Sequence, residues 1–270
     1  MLRHFSLLLA LLVIQSSEYP PESQPIPAPE MILRALGWPI PEDEPIEHVE
    51  GDVVTVDILV VRAANVNIDC GWGISRINTT ASNSGVATVQ TRLVGCLQTT
   101  YVSSNDASTD LNRLASNGDG FLDEVHPERD RIGADTVVLI GKSCNSCGIA
   151  YLMAGPTSAF AYVCDNCMSN SSFEHEWGHN CGMHHDLPNA GSCPNGYGCG
   201  WCFGNGFKDV LTYPSPCGGN RKAYYSNPDI LDNGTPTGTA TANNARILRE
   251  RAPVLANFRI GMNSTTNHLR

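Results

Sequence analysis

The run from His175 to Asp186, HEWGHNCGMHHD, contains side chains whose types and spacing are typical of a metal site. His175 and His179 are four residues apart, so on a helix they lie on one face and can direct imidazole nitrogens at one ion. Gly182 can adopt a left-handed backbone conformation at low cost, which would end the helix and fold the chain back. His185 would then supply a third nitrogen. Three protein ligands leave one position open, as in a catalytic zinc site.

Glu176 follows the first histidine and is placed to hold a water beside the metal without being a ligand. Zinc lowers the pKa of its bound water towards about 7. Glu176 would accept the water's proton and pass it to a leaving amine, which is peptide hydrolysis without a covalent intermediate. The spacing HExxHxxGxxH arises by chance in roughly one chain of this length in 30,000, so unrelated surface histidines are the weaker interpretation. His184 falls outside this spacing, and we do not predict it to be a ligand.

The elements that must position these residues follow an α/β pattern with a mixed sheet. Strands are predicted at Val53–Val61, Ala87–Val102, Thr136–Ile140, Ile149–Met153 and Ala159–Val163. Helices are predicted at Gly73–Ala81, Thr109–Ala115, Phe121–Arg131, Ser171–Cys181 and Asn243–Phe258, the last interrupted near Pro253. The chain after Gly182 is rich in glycine, cysteine and proline as far as Tyr225, which predicts an irregular second half.

The 11 cysteines are many for a cytosolic chain. Two CxxC motifs, Cys144–Cys147 and Cys164–Cys167, have the spacing of a four-thiolate zinc site, but an exported chain favours disulfides. Four more cysteines would brace the irregular half: Cys193, Cys199, Cys202 and Cys217. Cys70 and Cys96 are candidates to pair with each other, which would leave Cys181 as a buried packing residue. Spacing alone leaves the pairing open.

Composition limits the partners of the 270-residue chain. A net charge of -10 argues against nucleic acid, because phosphate binding needs a basic surface. Residues 1–17 combine a basic start, an apolar run and small residues, which is typical of a signal peptide; a buried hydrophobic helix is the alternative. That run is too short to span a bilayer, and no later segment is a candidate span. We expect a secreted, extracellular monomer that acts on proteins or peptides.

Residues 18–50 are rich in proline and acidic side chains, so we expect a largely extended stretch. A pro-segment and a simple linker are both open interpretations, and a short helix at Glu30–Leu36 is possible. The stretch contains no cysteine, which excludes a thiol latch on the zinc. An acidic side chain such as Asp43 could serve instead, but no pattern selects one. A catalytic domain is predicted for 51–259, followed by a tail at 260–270.

The block from His175 to Asp186 resembles the metzincin zinc peptidases, and within them the reprolysin branch, in which an aspartate follows the third histidine. Asp186 would be a buried structural acceptor in that family. The chain is also similar to bacterial peptidyl-Asp metalloendopeptidases over roughly residues 53 to 259. That similarity includes the stretches Ser108–Leu114, Gly133–Leu139, Gly148–Tyr151, Tyr225–Pro228 and Asn243–Glu250. The resemblance implies a twisted mixed sheet and an active-site helix, with an irregular C-terminal subdomain.

The chain departs from the metzincin pattern at one position. These proteins have a methionine turn under the zinc, whereas Leu211 stands at the matching place in Asp209–Tyr213. A swap of similar apolar volume usually costs less than about 1.5 kcal/mol, so we expect the site to survive. Tyr213 matches a tyrosine that steadies the oxyanion in astacins and serralysins. The alternative role for Tyr213 is packing under the site.

The family also implies a substrate-binding strand at the sheet edge. Its residues here would be Ile149, Ala150, Tyr151, Leu152, Met153 and Ala154. An edge strand binds an extended peptide through backbone hydrogen bonds, so the peptide's side chains matter little for binding. Family likeness further suggests cleavage beside acidic side chains, for which Arg221, Lys222 and Lys208 are the candidate cations in the second half. A non-enzymatic binding protein with the same fold, or another hydrolase reaction on the same zinc, are the competing functions.

Overall fold

The computed structural model describes residues 20, 22–28, 31–32, 53–204 and 206–259. The predicted signal peptide, the predicted tail at 260–270 and Asp43 lie outside these residues. Of the possible helix Glu30–Leu36, Met31 and Ile32 are described and lie in a helical turn. No helix in the described part of the chain is long and apolar enough to cross a membrane.

A six-stranded sheet organises the first half of the molecule, in the order β1-β5-β6-β4-β2-β3. Its strands are β1 (Ile26–Pro27), β2 (Val54–Arg62), β3 (Val89–Gln98), β4 (Thr136–Gly141), β5 (Gly148–Leu152) and β6 (Phe160–Cys164). β5 is antiparallel to β6, whereas the other neighbours are parallel. The predicted α/β class with a mixed sheet is therefore confirmed.

Five helices of eight or more residues occur in the described chain. They are α1 (Cys70–Asn83), α2 (Ala107–Ala115), α3 (Val125–Ile132), α4 (Ser172–Cys181) and α5 (Asn244–Leu255). α1 begins before the predicted Gly73, because the Asp69 side chain accepts a hydrogen bond from the Gly71 amide and caps the helix. α5 continues through Pro253 to Leu255, so the predicted interruption is wrong; proline removes one donor only two residues before the helix ends.

The core lies between the sheet and the helices. β4 is buried along its whole length, and β2 is buried on both faces from Val56 to Val61 and is apolar there except at Asp57, as expected for central parallel strands. α4 lies in this core and is buried along its whole length, including Trp177. The helix that contains two predicted ligands is therefore held on all sides by packed side chains.

Apart from α5, the second half consists of short elements. Its strands have two residues each: β7 (Cys202–Phe203), β8 (Phe207–Lys208), β9 (Asn220–Arg221), β10 (Leu231–Asp232) and β11 (Thr235–Pro236). Single helical turns lie at Leu187–Ala190 and Pro214–Cys217, and a 3-10 turn lies at Pro194–Gly196. With so little regular structure, this half depends on cross-links and on side chains that bond to backbone.

Five disulfides confirm the predicted framework and settle the pairing that spacing left open. The pairs are Cys70–Cys96, Cys144–Cys164, Cys147–Cys167, Cys193–Cys199 and Cys202–Cys217. The two CxxC motifs thus cross-link to each other and do not form a thiolate site. Cys181 is the free thiol of the described chain and is buried. Such a framework fits an extracellular protein.

Candidate metal centre and active-site cleft

The end of α4 brings three histidines together. His175 and His179 lie one turn apart on α4. Gly182 ends the helix with a φ of 99°, and its N–H donates to the Gly178 and His179 carbonyls. A Cβ at Gly182 would lie 3.1 Å from the Met153 Cε, so both backbone conformation and space favour glycine there. The chain then turns back and delivers His185 to the same point.

The Nε2 atoms of the three histidines converge. They are 3.0 Å apart between His179 and His175, 3.1 Å between His179 and His185, and 3.2 Å between His175 and His185. The opposite nitrogens have other partners: Nδ1 of His175 lies 2.7 Å from the Val210 carbonyl oxygen, and Nδ1 of His179 lies 2.8 Å from that of Met183. Because a carbonyl oxygen can only accept, Nδ1 of His175 and of His179 must donate. In the neutral imidazole, Nε2 of each of these residues then carries a lone pair.

The fit to a zinc ion follows from this geometry. Neutral nitrogens with facing lone pairs at about 3 Å repel unless a cation lies between them. Tetrahedral Zn–N bonds of about 2.0–2.1 Å place nitrogen ligands about 3.3 Å apart, close to the observed separations. Burial lowers the pKa of His179 to about 3 and the pKa values of His175 and His185 well below their ordinary value, so all three imidazoles are unprotonated, as zinc ligands must be. The backbone carbonyls at Nδ1 are the orienting partners typical of metal-bound histidines.

Glu176 lies beside the histidine cluster and is buried. Neither carboxylate oxygen has a hydrogen-bond partner within the described chain. Burial, and then the charge of Glu22, raise the pKa of Glu176 well above its ordinary value. Gly148, at the start of β5, makes room for this side chain, because a Cβ there would lie 2.4 Å from the Glu176 Cγ. Gly148 is a residue that sequence reasoning missed, and its only sequence signal was its place in a family-like stretch.

The structure places the predicted supporting residues under and beside the cluster. Asp186 accepts from the Tyr213 amide at 3.0 Å and from the Asn189 side chain at 2.8 Å, so it joins the two loops that carry His185 and Tyr213. Leu211 is fully buried below α4, with its Cδ2 3.3 Å from the Cβ position of Gly178. The Tyr213 ring packs against His185, with the ring centroids 4.0 Å apart and the planes tilted by 34°.

β5 lies between β6 and the two-residue strand β1, so β1 and not β5 is at this edge of the sheet, and β5 is shorter than predicted. Of the predicted residues, Ile149, Ala150, Tyr151 and Leu152 lie in β5, whereas Met153 and Ala154 do not. Met153 has a φ of 53°, and this turn directs its N–H to the His179 carbonyl at 2.8 Å. The Ala154 N–H donates to the Asn180 carbonyl at 2.9 Å. The end of the predicted strand is therefore bonded to the active-site helix.

Residues 22–28 of the proline-rich stretch lie in the cleft beside β5. β1 pairs with β5 in parallel, with Ile26 opposite Tyr151. The Ser23 N–H donates to the Gly148 carbonyl and the Ala28 N–H to the Leu152 carbonyl, both at 3.2 Å. No sequence signal singled out this segment within 18–50.

One of the three candidate cations faces the histidine cluster. Arg221 pairs with Glu22, whose Oε2 is 3.5 Å from Nε2 of His175. Lys208 instead donates to the Gly218 carbonyl at 2.8 Å, and Lys222 pairs with Asp232 at 2.5 Å. The structure therefore separates Arg221 from the two lysines that sequence alone could not distinguish from it.

Residues 52–222 match the family model Reprolysin_5, metallo-peptidase family M12. The chain belongs to this family, which confirms the resemblance drawn from the histidine block. Two peptidyl-Asp metalloendopeptidases are similar over 77% of this chain at 32% identity: one from Xanthomonas campestris pv. campestris, covered over 53% of its length, and one from Stenotrophomonas maltophilia strain R551-3, covered over 54%. The chain thus spans about half the length of the curated relatives it matches.

A solved structure also has this fold. The structure, titled a chaperone-substrate complex, aligns with a TM-score of 0.62 at 22% identity, over 77% of this chain and 35% of that chain. At that identity the likeness concerns the fold alone.

Proposed function

We propose that the protein is a secreted zinc-dependent metalloendopeptidase with one catalytic zinc bound by His175, His179 and His185. The observation that carries this proposal is the convergence of three Nε2 lone pairs within 3.2 Å of one another, two of them oriented by backbone carbonyls. Membership of a metallopeptidase family supports the same reaction class. A protein that only binds partners has no need of a buried acid beside such a cluster.

Glu176 is proposed as the general base. A zinc ion at the three histidines would supply a water that ionises near neutral pH and would polarise the scissile carbonyl. Glu176 accepts a proton from the attacking water and returns it to the leaving amine. Its carboxylate has no competing hydrogen bond among the described residues, so both oxygens are available for this transfer.

Tyr213 is proposed to stabilise the oxyanion. Its hydroxyl lies 2.8 Å from the backbone carbonyl oxygen of Glu22 and 3.1 Å from that of Ser23, and its one proton is shared between them; this supports a reach to the carbonyl of a peptide in the cleft. Burial raises the pKa of Tyr213 well above its ordinary value, so the hydroxyl keeps the proton it donates. The same donor would act on a substrate carbonyl.

We propose a preference for substrates with an acidic side chain next to the cleaved bond, with Arg221 as the cation that binds it. The Arg221 side chain is 8% exposed and lies beside the cluster, and a guanidinium binds a carboxylate through two parallel hydrogen bonds. The relatives are named for peptidyl-Asp cleavage, which agrees with this chemistry.

For the chain as a whole, we propose that 1–17 is a signal peptide, 18–50 a pro-segment, 51–259 the catalytic unit and 260–270 a tail, in a secreted monomer. The family match begins at residue 52, close to the proposed start of the catalytic unit. Residues 22–28 lie in the cleft and pair with β5, which favours a pro-segment over a simple linker.

The test measures zinc content and cleavage of an unfolded protein on the same preparation, as the full chain and after a cut between residues 33 and 52. We expect one zinc per chain and chelator-sensitive cleavage. Glu176→Gln should keep the zinc and lower cleavage by roughly 10²- to 10⁴-fold. A folded chain that binds zinc but cleaves nothing before or after the cut would refute peptidase activity and support the binding-protein alternative.

A further inference from the structure

Residues 22–28 make polar contacts with several parts of the cleft, which a simple linker would not require. Tyr213 donates to two of its carbonyls, and β5 accepts two of its N–H groups. The Gln24 Oε1 lies 3.2 Å from Nδ1 of His185, the one histidine whose Nδ1 has no backbone carbonyl partner among the described contacts. The segment thus completes the orientation of the third proposed ligand.

Glu22 is the centre of these contacts. Its side chain is 3% exposed. The carboxylate accepts from both Nη atoms of Arg221, with Oε1 2.5 Å from Nη1, and from the Ser172 hydroxyl at 3.1 Å. Its Oε2 points at Nε2 of His175 at 3.5 Å. Glu22, His175 and Glu176 place their ligand atoms within 4.8 Å of one another. A carboxylate therefore occupies the open side of the histidine cluster.

The group of Glu22 that faces the histidines is its side-chain carboxylate and not a peptide carbonyl. The carbonyl oxygens of Glu22 and Ser23 bond to Tyr213, while the side chain of Glu22 faces the histidines. Arg221, which lies in the buried cleft, has its charge neutralised by the same group. Removal of the segment would leave Arg221 without this partner, and an acidic substrate side chain would be its natural replacement.

We infer that residues 22–28 are an internal inhibitor, in which Glu22 covers the open metal position and takes the place of the acidic substrate side chain at Arg221. This inference rests on the proposed function. It assigns the latch to Glu22, whereas the sequence suggested only that some acidic residue such as Asp43 could serve. Pro27 is the last residue of β1, and the next residue, Ala28, donates its N–H to β5; the missing N–H of Pro27 therefore faces away from β5 and the pairing loses no hydrogen bond.

The experiment compares full-length wild type, Glu22→Gln and Glu22→Asp, all loaded with zinc. The first readout is the rate at which a chromogenic chelator extracts zinc, and the second is cleavage of an unfolded protein, with mass spectrometry to verify that the chain is intact. Glu22→Gln should increase the extraction rate roughly 10- to 100-fold and raise cleavage. Glu22→Asp keeps the charge but is shorter, so its rate should lie between the other two.

The matched control is Glu128→Gln, which removes a carboxylate from a surface pair on α3 and should leave both readouts unchanged. Circular dichroism verifies that each variant is folded. Equal extraction rates in wild type and both Glu22 variants would overturn the inference. If the peptidase proposal fails, no variant cleaves, yet a faster zinc release in Glu22→Gln still supports Glu22 as the cover of the metal position.

Discussion

The cleft lies between two regions that hold their residues in different ways. The sheet half (53–181) supplies His175, His179 and Glu176 from one helix packed on strands of five to ten residues. The loop half (182–259) supplies His185, Tyr213 and Arg221 from loops and strands of two residues. The first set is positioned mainly by regular hydrogen bonding and packing, in a half that also contains three of the five disulfides. The second set depends on disulfides and on single buried side chains, so we expect it to be the more easily disturbed.

Asp209 illustrates how the loop half is held. This buried carboxylate accepts from the Thr212 amide and hydroxyl, at 2.9 Å and 2.6 Å, and from the Ser226 amide at 3.0 Å. It thereby fixes the turn that contains Leu211 under the histidines. In the sheet half, the ladder of backbone hydrogen bonds between long strands does most of the positioning, and three disulfides cross-link its elements.

Removal of one disulfide from each half tests the comparison most strongly. Cys202→Ala with Cys217→Ala opens a loop of 15 residues around Leu211 and Tyr213, and should cost about 3 kcal/mol of unfolding free energy. Cys70→Ala with Cys96→Ala should cost a similar amount, but the sheet keeps α1 in place. We expect zinc affinity and kcat/KM to fall mainly in the first variant. Equal losses in both would mean that the two halves do not differ.

Gly148→Ala tests the sheet half at its contact with Glu176. The added Cβ would lie 2.4 Å from the Glu176 Cγ, so the carboxylate must shift. We expect kcat/KM to fall roughly 100-fold with zinc content unchanged, because displacement of a catalytic group by about 1 Å has that effect. Gly71→Ala is the control, since its Cβ would have ordinary contacts with Asp69 at 3.5 Å. Unchanged activity in Gly148→Ala would show that Glu176 can move without loss.

Two buried carboxyls, one in each half, predict a difference in pH dependence. Burial raises the pKa of Asp135 to about 7 and that of Asp209 to about 6. Because both exceed the unfolded value of about 3.9, the stability they contribute is present at pH 4 and is lost as pH rises through each folded pKa. Relative to wild type, the Tm of Asp135→Asn should therefore rise between pH 4 and 7, and that of Asp209→Asn between pH 4 and 6.

Thermal unfolding at intervals of half a pH unit would show the two windows. The change in unfolding free energy across each window is a few kcal/mol at most, since each unit of pKa shift corresponds to about 1.4 kcal/mol. A constant Tm difference for either variant across its window would contradict the assigned pKa.

Leu211→Met should have the smallest effect. Leu211 packs under Gly178 as a buried apolar side chain and binds no metal in the proposed site. Methionine has a similar volume, so the free energy of unfolding should change by less than about 1.5 kcal/mol and zinc affinity should stay the same. A large gain in zinc affinity on introducing methionine would show that the leucine weakens the site.

Several features of the chain follow from sequence alone because they are local. The positions of His175 and His179 on one helical face depend on a four-residue interval, and the left-handed turn at Gly182 depends on the missing Cβ. The buried strand β4 follows from its apolar run, and the disulfide framework from the number of cysteines in a chain that we predict to be exported. The role of His175 and His179 in catalysis is a prediction that the zinc and cleavage measurements test.

Only the tertiary structure decided which distant residues meet. Arg221 and Glu22 are 199 positions apart, and no pattern in either stretch relates them. The same holds for Gly148 and Glu176, whose contact depends on how β5 crosses α4, and for the pairing of the two CxxC motifs. Periodicity and spacing describe neighbours within a few residues of one another. Contacts across the cleft depend instead on how the sheet and loops pack, and this is why the segment at 22–28 was not predictable from sequence.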